Sequence, residues 1–411
     1  MFKKPFSRFL AVLVMVIFAF LYINFFSGTG STPETEPLDG REETGSIENA
    51  SPTHTQDEGR DEINRPQSVV LAAVGDIMIH SPQFNGAYVQ VEDRYDFNDN
   101  FTYIAPYLQE ADYAVVNLET TLAGQEYGYS GYPMFNSPPE IASALKNCGF
   151  DLLSTANNHS LDRGEEGILN TIAHIEAAGL DFVGTARSEE EGDEDFVLLL
   201  NDLKIVFFAY TYGTNGLPVP AGKDYLVNLL SREKMDADIR RAKNELKADI
   251  IVLCLHWGDE YHRLPAEQQR SLAEDLIDKG ADLIIGNHSH VVQPAEYIRT
   301  DNNAGLVLYS LGNFISNQRD RYCDSGAIAF IEIIDDPRTD TNSVSLQKII
   351  PTWVYRYYEQ NRAKYKILPV LGPSCIERYQ EMFNLSTNDR QRLEEVPLEI
   401  REIMGYYSSA P

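Results

Sequence analysis

Short apolar runs alternate with amphipathic runs along most of this chain, and this alternation limits its possible folds more than any other feature. Short apolar runs bounded by turn residues are typical of β-strands, and longer amphipathic runs are typical of helices. A chain that alternates in this way is expected to form an α/β fold with parallel or mixed sheets. The strand-like runs are residues 68–74, 113–116, 150–154, 196–200, 204–210, 250–255, 282–285, 306–311 and 327–334. The helix-like runs are residues 103–110, 139–147, 167–178, 231–246 and 267–279.

The C-terminal part of the sequence is harder to interpret. Residues 335–342 are polar and rich in turn formers, and residues 344–358 then predict a returning strand or hairpin. The pattern weakens beyond residue 360 and supports no assignment there. We therefore divide the folded part into a domain at residues 67–335 and a C-terminal extension at residues 336–411.

The charge of the chain makes nucleic acid a poor partner. The sequence has 34 Lys and Arg residues against 62 Asp and Glu residues, which gives a formal net charge of −28. An acidic surface repels phosphate backbones unless a local basic patch overrides it, and the sequence shows no such patch.

The N-terminus predicts a membrane anchor at residues 1–30. Lys3, Lys4 and Arg8 precede an uncharged apolar run at residues 9–26, which is long enough for a helix to span the hydrocarbon core of a bilayer. Basic residues before the run and acidic residues after it orient the N-terminus inside and the folded domain outside the cell membrane, in a single pass. A cleaved signal peptide is the alternative, but the apolar run is unusually long for one.

Residues 31–66 predict a disordered, acidic linker. The segment is rich in Glu, Asp, Thr, Ser, Gly and Pro and has almost no aliphatic side chains. Such a composition cannot bury enough apolar surface to offset the entropy lost on ordering. Repulsion between its charges would keep the linker extended and hold the domain away from the membrane.

Polar side chains that bind metals follow five of the predicted strands. Because ligand sites in α/β sheets lie beyond the carboxyl ends of strands, these side chains are expected to meet. Each one alone has an ordinary explanation, such as a helix cap, a turn or a surface acid. Together they are the carboxylates, amide and imidazoles that two adjacent divalent metals require. The residues are Asp76, Glu119, Asn158 with His159, His256, and His288 with His290.

These motifs resemble the CapA/PgsA-like capsule or poly-γ-glutamate biosynthesis proteins, a branch of the calcineurin-like metallophosphoesterases. The resemblance covers roughly residues 68–332, with the motifs in the expected order. It implies a four-layer α/β/β/α sandwich with mixed sheets, preceded by the transmembrane helix and the linker. The motifs are VGDIM at 74–78, VNLET at 116–120, ANNHSLDRG at 156–164, HWGDEY at 256–261, GNHSHVVQP at 286–294 and YSLGNF at 309–314.

The resemblance also implies a role for each site residue. Two divalent ions, of Mn, Fe or Zn, would be bound by six residues, with Glu119 as the bridging carboxylate. His159 matches the general acid of the family, and Asp162 would orient it. The six implied ligands are Asp76, Glu119, Asn158, His256, His288 and His290.

The sequence departs from the usual phosphoesterase pattern at two places. The D-x-H motif that normally begins the site is here Asp76-Ile77-Met78, so one imidazole is missing. His80 lies two residues too late to replace it on the same face of an extended segment. Asn136 stands where relatives often carry an arginine.

Two functions follow from these features. The first is a metal-dependent hydrolase, phosphoesterase-like, that acts on a phosphoester or an anionic envelope polymer in capsule or poly-γ-glutamate synthesis or export. The second is a non-catalytic assembly factor beside membrane polymer-synthase subunits, with a structural or vestigial metal site. A third hypothesis, a carbohydrate- or lipid-binding module, depends only on the tyrosines at 355–358, and tyrosines at strand spacing usually pack on sheets.

Overall fold

The computed structural model describes residues 67–336 and 341–405. The predicted membrane anchor at residues 1–30 and the predicted linker at residues 31–66 lie outside these residues. Within them, every helix is too short or too polar to cross a membrane.

Sixteen strands are present in the described residues. They are β1 (Gln67–Ile77), β2 (Tyr88–Val89), β3 (Arg94–Tyr95), β4 (Tyr113–Leu118), β5 (Leu152–Ser154), β6 (Asp181–Val183), β7 (Phe196–Leu200), β8 (Leu203–Thr211), β9 (Ile250–His256), β10 (Leu283–Asn287), β11 (Ala295–Arg299), β12 (Ala304–Leu308), β13 (Asn313–Ile315), β14 (Ser325–Asp336), β15 (Thr341–Glu359) and β16 (Arg362–Pro369).

The described α-helices are interspersed among these strands. They are α1 (Ser81–Ala87), α2 (Asn98–Phe101), α3 (Ala105–Leu108), α4 (Glu140–Cys148), α5 (Gly164–Ala177), α6 (Glu189–Gly192), α7 (Arg232–Arg241), α8 (Glu267–Lys279), α9 (Pro373–Phe383) and α10 (Thr387–Gly405). The mixed α/β fold predicted from the sequence is therefore confirmed.

Individual elements differ from their predictions at the ends. The helix predicted at residues 267–279 coincides with α8, whereas the one predicted at 231–246 ends at Arg241 and continues as a π-helical turn, Ala242–Leu246. The helix predicted at 103–110 shortens to the four residues of α3. Pro106 stands in the first turn of α3, where its fixed φ and missing N–H are tolerated, so the helix cannot begin further back with Pro106 in its interior.

Two mixed sheets carry most of the described strands. The larger one has the order β16-β15-β14-β1-β4-β5-β6, with β13 also paired to β1, and the smaller one has the order β11-β12-β10-β9-β8-β7. The central strands β1, β4 and β5 are parallel to one another, as are β8, β9 and β10. Their carboxyl ends therefore meet at one edge of each sheet, which is where the candidate site forms.

Alternation along the strands creates separate cores on the two faces of the smaller sheet. Ile205 and Phe207 of β8 join a core that also contains Val69 and Leu71 of β1, so the two sheets share it. The intervening residues of β8 face the other way and pack with α7 and α8. The outer face of the larger sheet is covered by α2 and α4.

The C-terminal part of the described chain continues the larger sheet. β15 contains the returning strand predicted at residues 344–358 and pairs with β14 from Thr341 to Trp353. β16, in the region that the sequence leaves unassigned, pairs with β15. The last helix, α10, then buries one apolar side against the core shared by the two sheets. The buried side chains are Leu393, Val396, Ile400, Ile403 and Met404, at the spacing of one helix face.

Candidate metal centre

The six predicted metal ligands meet in one buried cleft. All of them are at most 3% exposed. β1 and β4 deliver the carboxylates, and their register places Asp76 beside Asn117. β9 and β10 deliver imidazoles, with His256 paired to Asn287 in the register. The fold therefore brings together residues that are widely separated in the chain, as the strand-end argument predicts.

Glu119 lies at the centre of this group. Its Oε1 atom is 3.5 Å from Nε2 of His256 and 3.9 Å from Nε2 of His290. It belongs to two sets of three residues, each with possible ligand atoms within 4.8 Å of one another: Glu119 with His288 and His290, and Glu119 with Asp76 and His256. Glu119 is therefore the carboxylate that the two sets have in common.

The remaining predicted ligands complete the two sides of the cleft. Nε2 of His256 lies 3.0 Å from Oδ1 of Asn158, and Nδ1 of His290 lies 3.1 Å from Oδ2 of Asp76. The ring centroids of His256 and His288 are 4.7 Å apart. Asn158 and His288 thus lie next to His256, and Asp76 lies next to His290.

Asn117 is a cleft residue to which the sequence analysis assigned no role. Its Nδ2 atom donates to Oδ1 of Asp76 at 2.8 Å and lies 3.4 Å from both Oε2 of Glu119 and Nδ1 of His256. The signal was available in the sequence, because residues two apart on a strand share a face and Asn117 precedes Glu119 by two. The amide partly neutralises two carboxylates that would otherwise repel each other.

Burial shifts the pKa values of the cleft side chains in opposite directions. It raises the pKa of Glu119 well above its ordinary value, and the nearby charges of Asp76 and Glu260 raise it further. Burial also lowers the pKa of His288 to about 3 and that of His256 well below its ordinary value. These two imidazoles are therefore neutral at physiological pH, as metal ligands must be, and a cation would stabilise the ionised carboxylate.

Buried atoms without partners test whether a metal fits this donor set. Oε1 of Glu119 and Nδ1 of His288 are both buried and make no hydrogen bond among the described residues. Buried polar atoms are normally paired, because leaving one unpaired costs about 1–3 kcal/mol. Carboxylate oxygens and neutral imidazole nitrogens are the ligands that Mn, Fe and Zn accept. The residues present fit a divalent metal centre.

His159 and Asp162 form a pair at the edge of this cleft. Nδ1 of His159 is 2.7 Å from Oδ2 of Asp162, and both side chains are almost completely buried. The same Oδ2 accepts the backbone N–H of Phe135 at 2.6 Å, and the Phe135 ring packs edge-on against His159. Asp162 thus holds the imidazole of His159 by its Nδ1 atom.

Close backbone contacts allow the strand ends to converge. A Cβ atom on Gly75 would lie 1.8 Å from the carbonyl oxygen of Gly312, and one on Gly286 would lie 2.0 Å from that of Tyr309. Glycine is therefore required beside both Asp76 and the loop of His288 and His290.

The family comparison identifies the chain. Residues 70–318 match the family described as "Bacterial capsule synthesis protein PGA_cap". The chain belongs to this family. All eight predicted site residues lie inside the matched range, whereas β15, β16, α9 and α10 lie outside it.

Individual relatives agree with this membership. Capsule biosynthesis protein CapA of Bacillus anthracis is 29% identical over 259 residues, which cover 61% of this chain and 61% of that protein. The chain thus spans less than two thirds of the length of that relative. PGA biosynthesis protein CapA of Bacillus subtilis is 27% identical over 332 residues, which cover 77% of this chain and 74% of that protein.

Two solved structures are similar at low sequence identity. A phosphatase from Mycoplasma pneumoniae has a TM-score of 0.43 and 16% identity, over 70% of this chain and 94% of that one. The calcineurin-like phosphoesterase YfkN from Bacillus subtilis has a TM-score of 0.39 and 14% identity, over 80% of this chain and 99% of that one.

The structure also explains the two departures from the phosphoesterase pattern. Met78 is 2% exposed, and Nδ1 of His80, the nearest imidazole along the chain, accepts the backbone N–H of Asn317 at 3.3 Å. Asn136 organises a loop: its amide donates to the carbonyls of Gly124 and Gly128 and accepts from the N–H of Ala123. Asn136 therefore contributes to loop structure at this position.

The mouth of the cleft carries exposed tyrosines that the sequence analysis did not assign to it. The ring of Tyr212 lies 4.6 Å from that of His288, and the ring of Tyr261 lies 5.9 Å from that of His290, measured between centroids. They are 48% and 52% exposed. These rings therefore lie between His288 and His290 and the solvent.

Proposed function

We propose that this member of the capsule synthesis family is a metal-dependent hydrolase with phosphoesterase-like chemistry. The observation that carries the proposal is the convergence of six metal-binding side chains beside the His159–Asp162 pair. Helices outside each sheet also support the four-layer α/β/β/α arrangement of the metallophosphoesterases, which we include in the proposal. When bound, two divalent cations would polarise a phosphoester and lower the pKa of water at the centre.

Each residue of the cleft would have its own role in the reaction. Glu119 would bridge the two ions, with Asn158, His256 and His288 on one side and Asp76 and His290 on the other. Asn117 holds the Asp76 carboxylate in place through the 2.8 Å bond from its amide. His159 would deliver a proton from Nε2 to the leaving oxygen, because its Nδ1 is held by Asp162.

The biological setting that we propose is the synthesis or export of capsule or poly-γ-glutamate at the cell membrane. The relatives whose names refer to capsule or PGA biosynthesis support this assignment. We further propose that residues 1–30 anchor the chain in the membrane, with the domain outside and next to membrane polymer-synthase subunits. A net charge of −28 disfavours broad contact with a polyanion, so an anionic polymer or phosphoester would be bound only within the cleft.

Metal analysis combined with a phosphodiesterase assay tests the proposal. The full-length chain is purified, its metal content is measured, and hydrolysis of a chromogenic phosphodiester is followed with Mn, Zn or Fe. We expect bound metal and turnover, and a fall in kcat of about 100- to 10,000-fold in His159→Ala with metal content unchanged, as expected for loss of a general acid.

His174→Ala is the matched control, because it removes an imidazole from α5, outside the cleft. We expect it to retain both metal and turnover. Absence of metal from the wild-type chain would contradict the metal centre, and full turnover in His159→Ala would contradict the role of His159. Metal binding without turnover of any phosphodiester would instead support the assembly-factor hypothesis.

A further inference from the structure

Glu260 approaches the metal centre from the loop that follows β9. Its Oε1 atom lies 3.8 Å from Nε2 of His290, and its side chain is 40% exposed. Oε1 of Glu119 lies 3.9 Å from the same nitrogen. Two carboxylate oxygens from different parts of the chain therefore face one imidazole nitrogen.

These separations are close to those found around a single ion. Donor atoms that bind one transition metal at about 2.1 Å lie roughly 3 to 3.5 Å from one another. Each of the two carboxylate oxygens is therefore within a few tenths of an ångström of this distance from Nε2 of His290. The other ring nitrogen of His290 faces Asp76 at 3.1 Å, and a carboxylate in that position orients an imidazole toward a metal.

An additional protein ligand is expected for the ion beside His290. Met78 occupies the position of the histidine in the phosphoesterase D-x-H motif, and its side chain is buried. A thioether is a soft ligand that suits Cu(I), whereas a carboxylate suits Mn and other hard divalent ions. Without a substitute, the ion beside His290 would have one protein ligand fewer than the motif normally provides.

We propose that Glu260 is a ligand of the ion held by Glu119 and His290, and that it takes the place of the imidazole missing at Met78. This inference rests on the proposed function, because it requires the metal centre to exist. It also makes the HWGDEY motif bifunctional, with His256 on one side of Glu119 and Glu260 on the other.

The loop that carries Glu260 is held on both sides. The backbone N–H of Tyr261 donates to the carbonyl of Ser289 at 2.7 Å, which ties the loop to the segment of His288 and His290. The guanidinium of Arg263 donates to the carbonyl of Glu399 in α10 at 2.6 Å. A ligand on a loop held in this way loses little conformational entropy when it binds.

Titration with Mn²⁺ tests the assignment without any activity measurement. Isothermal titration calorimetry on the metal-free full-length chain gives the number of Mn²⁺ ions bound and their dissociation constants. We expect two ions for the wild type. In Glu260→Gln one ion should bind as in the wild type, and the other should bind at least about 10-fold more weakly, the smaller loss seen when only an outer partner of a metal ligand is removed.

Asp259→Asn is the matched control, because it removes the adjacent acid of the same loop, and Asp259 lines a groove with Trp257 and Gln269. It should bind both ions as the wild type does. Equal binding by Glu260→Gln and Asp259→Asn would overturn the role of Glu260 and leave the proposed metal centre intact. A wild-type chain that binds no Mn²⁺ would overturn the centre itself, so the two failures are distinguishable.

Discussion

Buried acids have different partners in the metal-centre cleft and in a second charged cavity of this molecule. The second cavity, the edge cavity, has a volume of about 330 Å³ and lies beside β6, α6 and α7. Its charged lining residues are Glu176, Asp181, Arg187, Glu191, Glu194, Asp195, Lys234, Asp238 and Arg241. Arg241 pairs with Asp195 at 2.6 Å and with Asp238 at 3.0 Å, so acids there face fixed cations.

In the metal-centre cleft the buried acids face imidazoles and an amide instead of fixed cations. Asp76 and Glu119 are in contact with imidazoles and with the amide of Asn117. A buried acid that is paired with a fixed cation contributes to the stability of the fold, whereas one surrounded by neutral ligands is suited to a cation that comes from solution. The comparison therefore separates a structural charge network from a binding site.

The largest expected effect is on the edge cavity, in Asp238→Asn. Asp238 is 3% exposed and accepts the Tyr210 hydroxyl at 2.6 Å in addition to its pair with Arg241. The substitution removes the charge that faces Arg241 and disturbs a fully buried hydrogen bond to Tyr210, so we expect the free energy of unfolding to fall by about 3 kcal/mol. Urea denaturation measures this. The control is Asp236→Asn on the same helix, which pairs at the surface and should cost less than about 1 kcal/mol.

For the metal-centre cleft we expect instead that added metal raises the free energy of unfolding. At a free Mn²⁺ concentration 100 times the dissociation constant, we expect the wild type to be stabilised by about 2.7 kcal/mol, since the ion binds only the folded chain. Glu119→Gln should not be stabilised by Mn²⁺. In EDTA it should be at least as stable as the wild type, because burial opposes the ionised form of Glu119.

Asp195→Asn, in the edge cavity, should keep the full response to Mn²⁺. The stabilities of the wild type, Glu119→Gln and Asp195→Asn are measured by thermal or urea unfolding with and without Mn²⁺. A loss of stability in metal-free Glu119→Gln equal to that of Asp238→Asn would remove the distinction between the two regions.

A smaller effect on stability is expected from the protonation of His80, beside the metal-centre cleft, as the pH falls. Burial lowers the pKa of His80 to about 4, against 6.5 in the unfolded chain. Between these values the unfolded chain binds a proton that the folded chain does not, so stability falls as the pH falls. At pH 5 this costs about 2 kcal/mol relative to pH 8.

His80→Asn should reduce that loss, since an amide oxygen can still accept the N–H of Asn317 and does not titrate. The measurement is the difference in unfolding free energy between pH 8 and pH 5, with His262→Asn as the exposed control. An unchanged pH dependence in His80→Asn would show that this imidazole is protonated in the folded protein.

The smallest effect should come from the rim of the edge cavity. Arg187 pairs with Glu176 at 2.7 Å, but its side chain is 42% exposed. Exposed ion pairs contribute about 0.2–1 kcal/mol, so Arg187→Gln should cost no more than this. The cost should nearly vanish in 1 M NaCl, where the Debye length is about 3 Å. A larger, salt-independent loss would place Arg187 among the structural pairs.

Much of the site was predictable because its residues sit in short motifs at strand ends. His288 and His290 lie on one loop, and His159 with Asp162 form a local pair three residues apart. Such spacing is fixed by the chain itself, so the sequence alone indicates which side chains act together. Hydrophobic alternation likewise predicted most of the central strands.

Other features depend on segments that are distant in the chain. Glu260 meets His290 because two loops are tied together by the N–H of Tyr261, and Asn136 stabilises a loop because its amide donates to the carbonyl of Gly124. The helix α10 was not assigned from the sequence. It contains Pro397, and proline is usually unfavourable inside a helix. Packing of its apolar face against the core compensates for that cost.

The sequence by itself determined the kind of chemistry: an α/β sheet with carboxylate, amide and imidazole side chains at successive strand ends, in the motifs of the capsule synthesis family. Only the tertiary structure decided which donor atoms face one another, which buried acids have fixed cations as partners and which acid lies next to His290. The reason is physical. Local spacing follows from backbone geometry, whereas contacts between distant segments follow from the packing of the whole core.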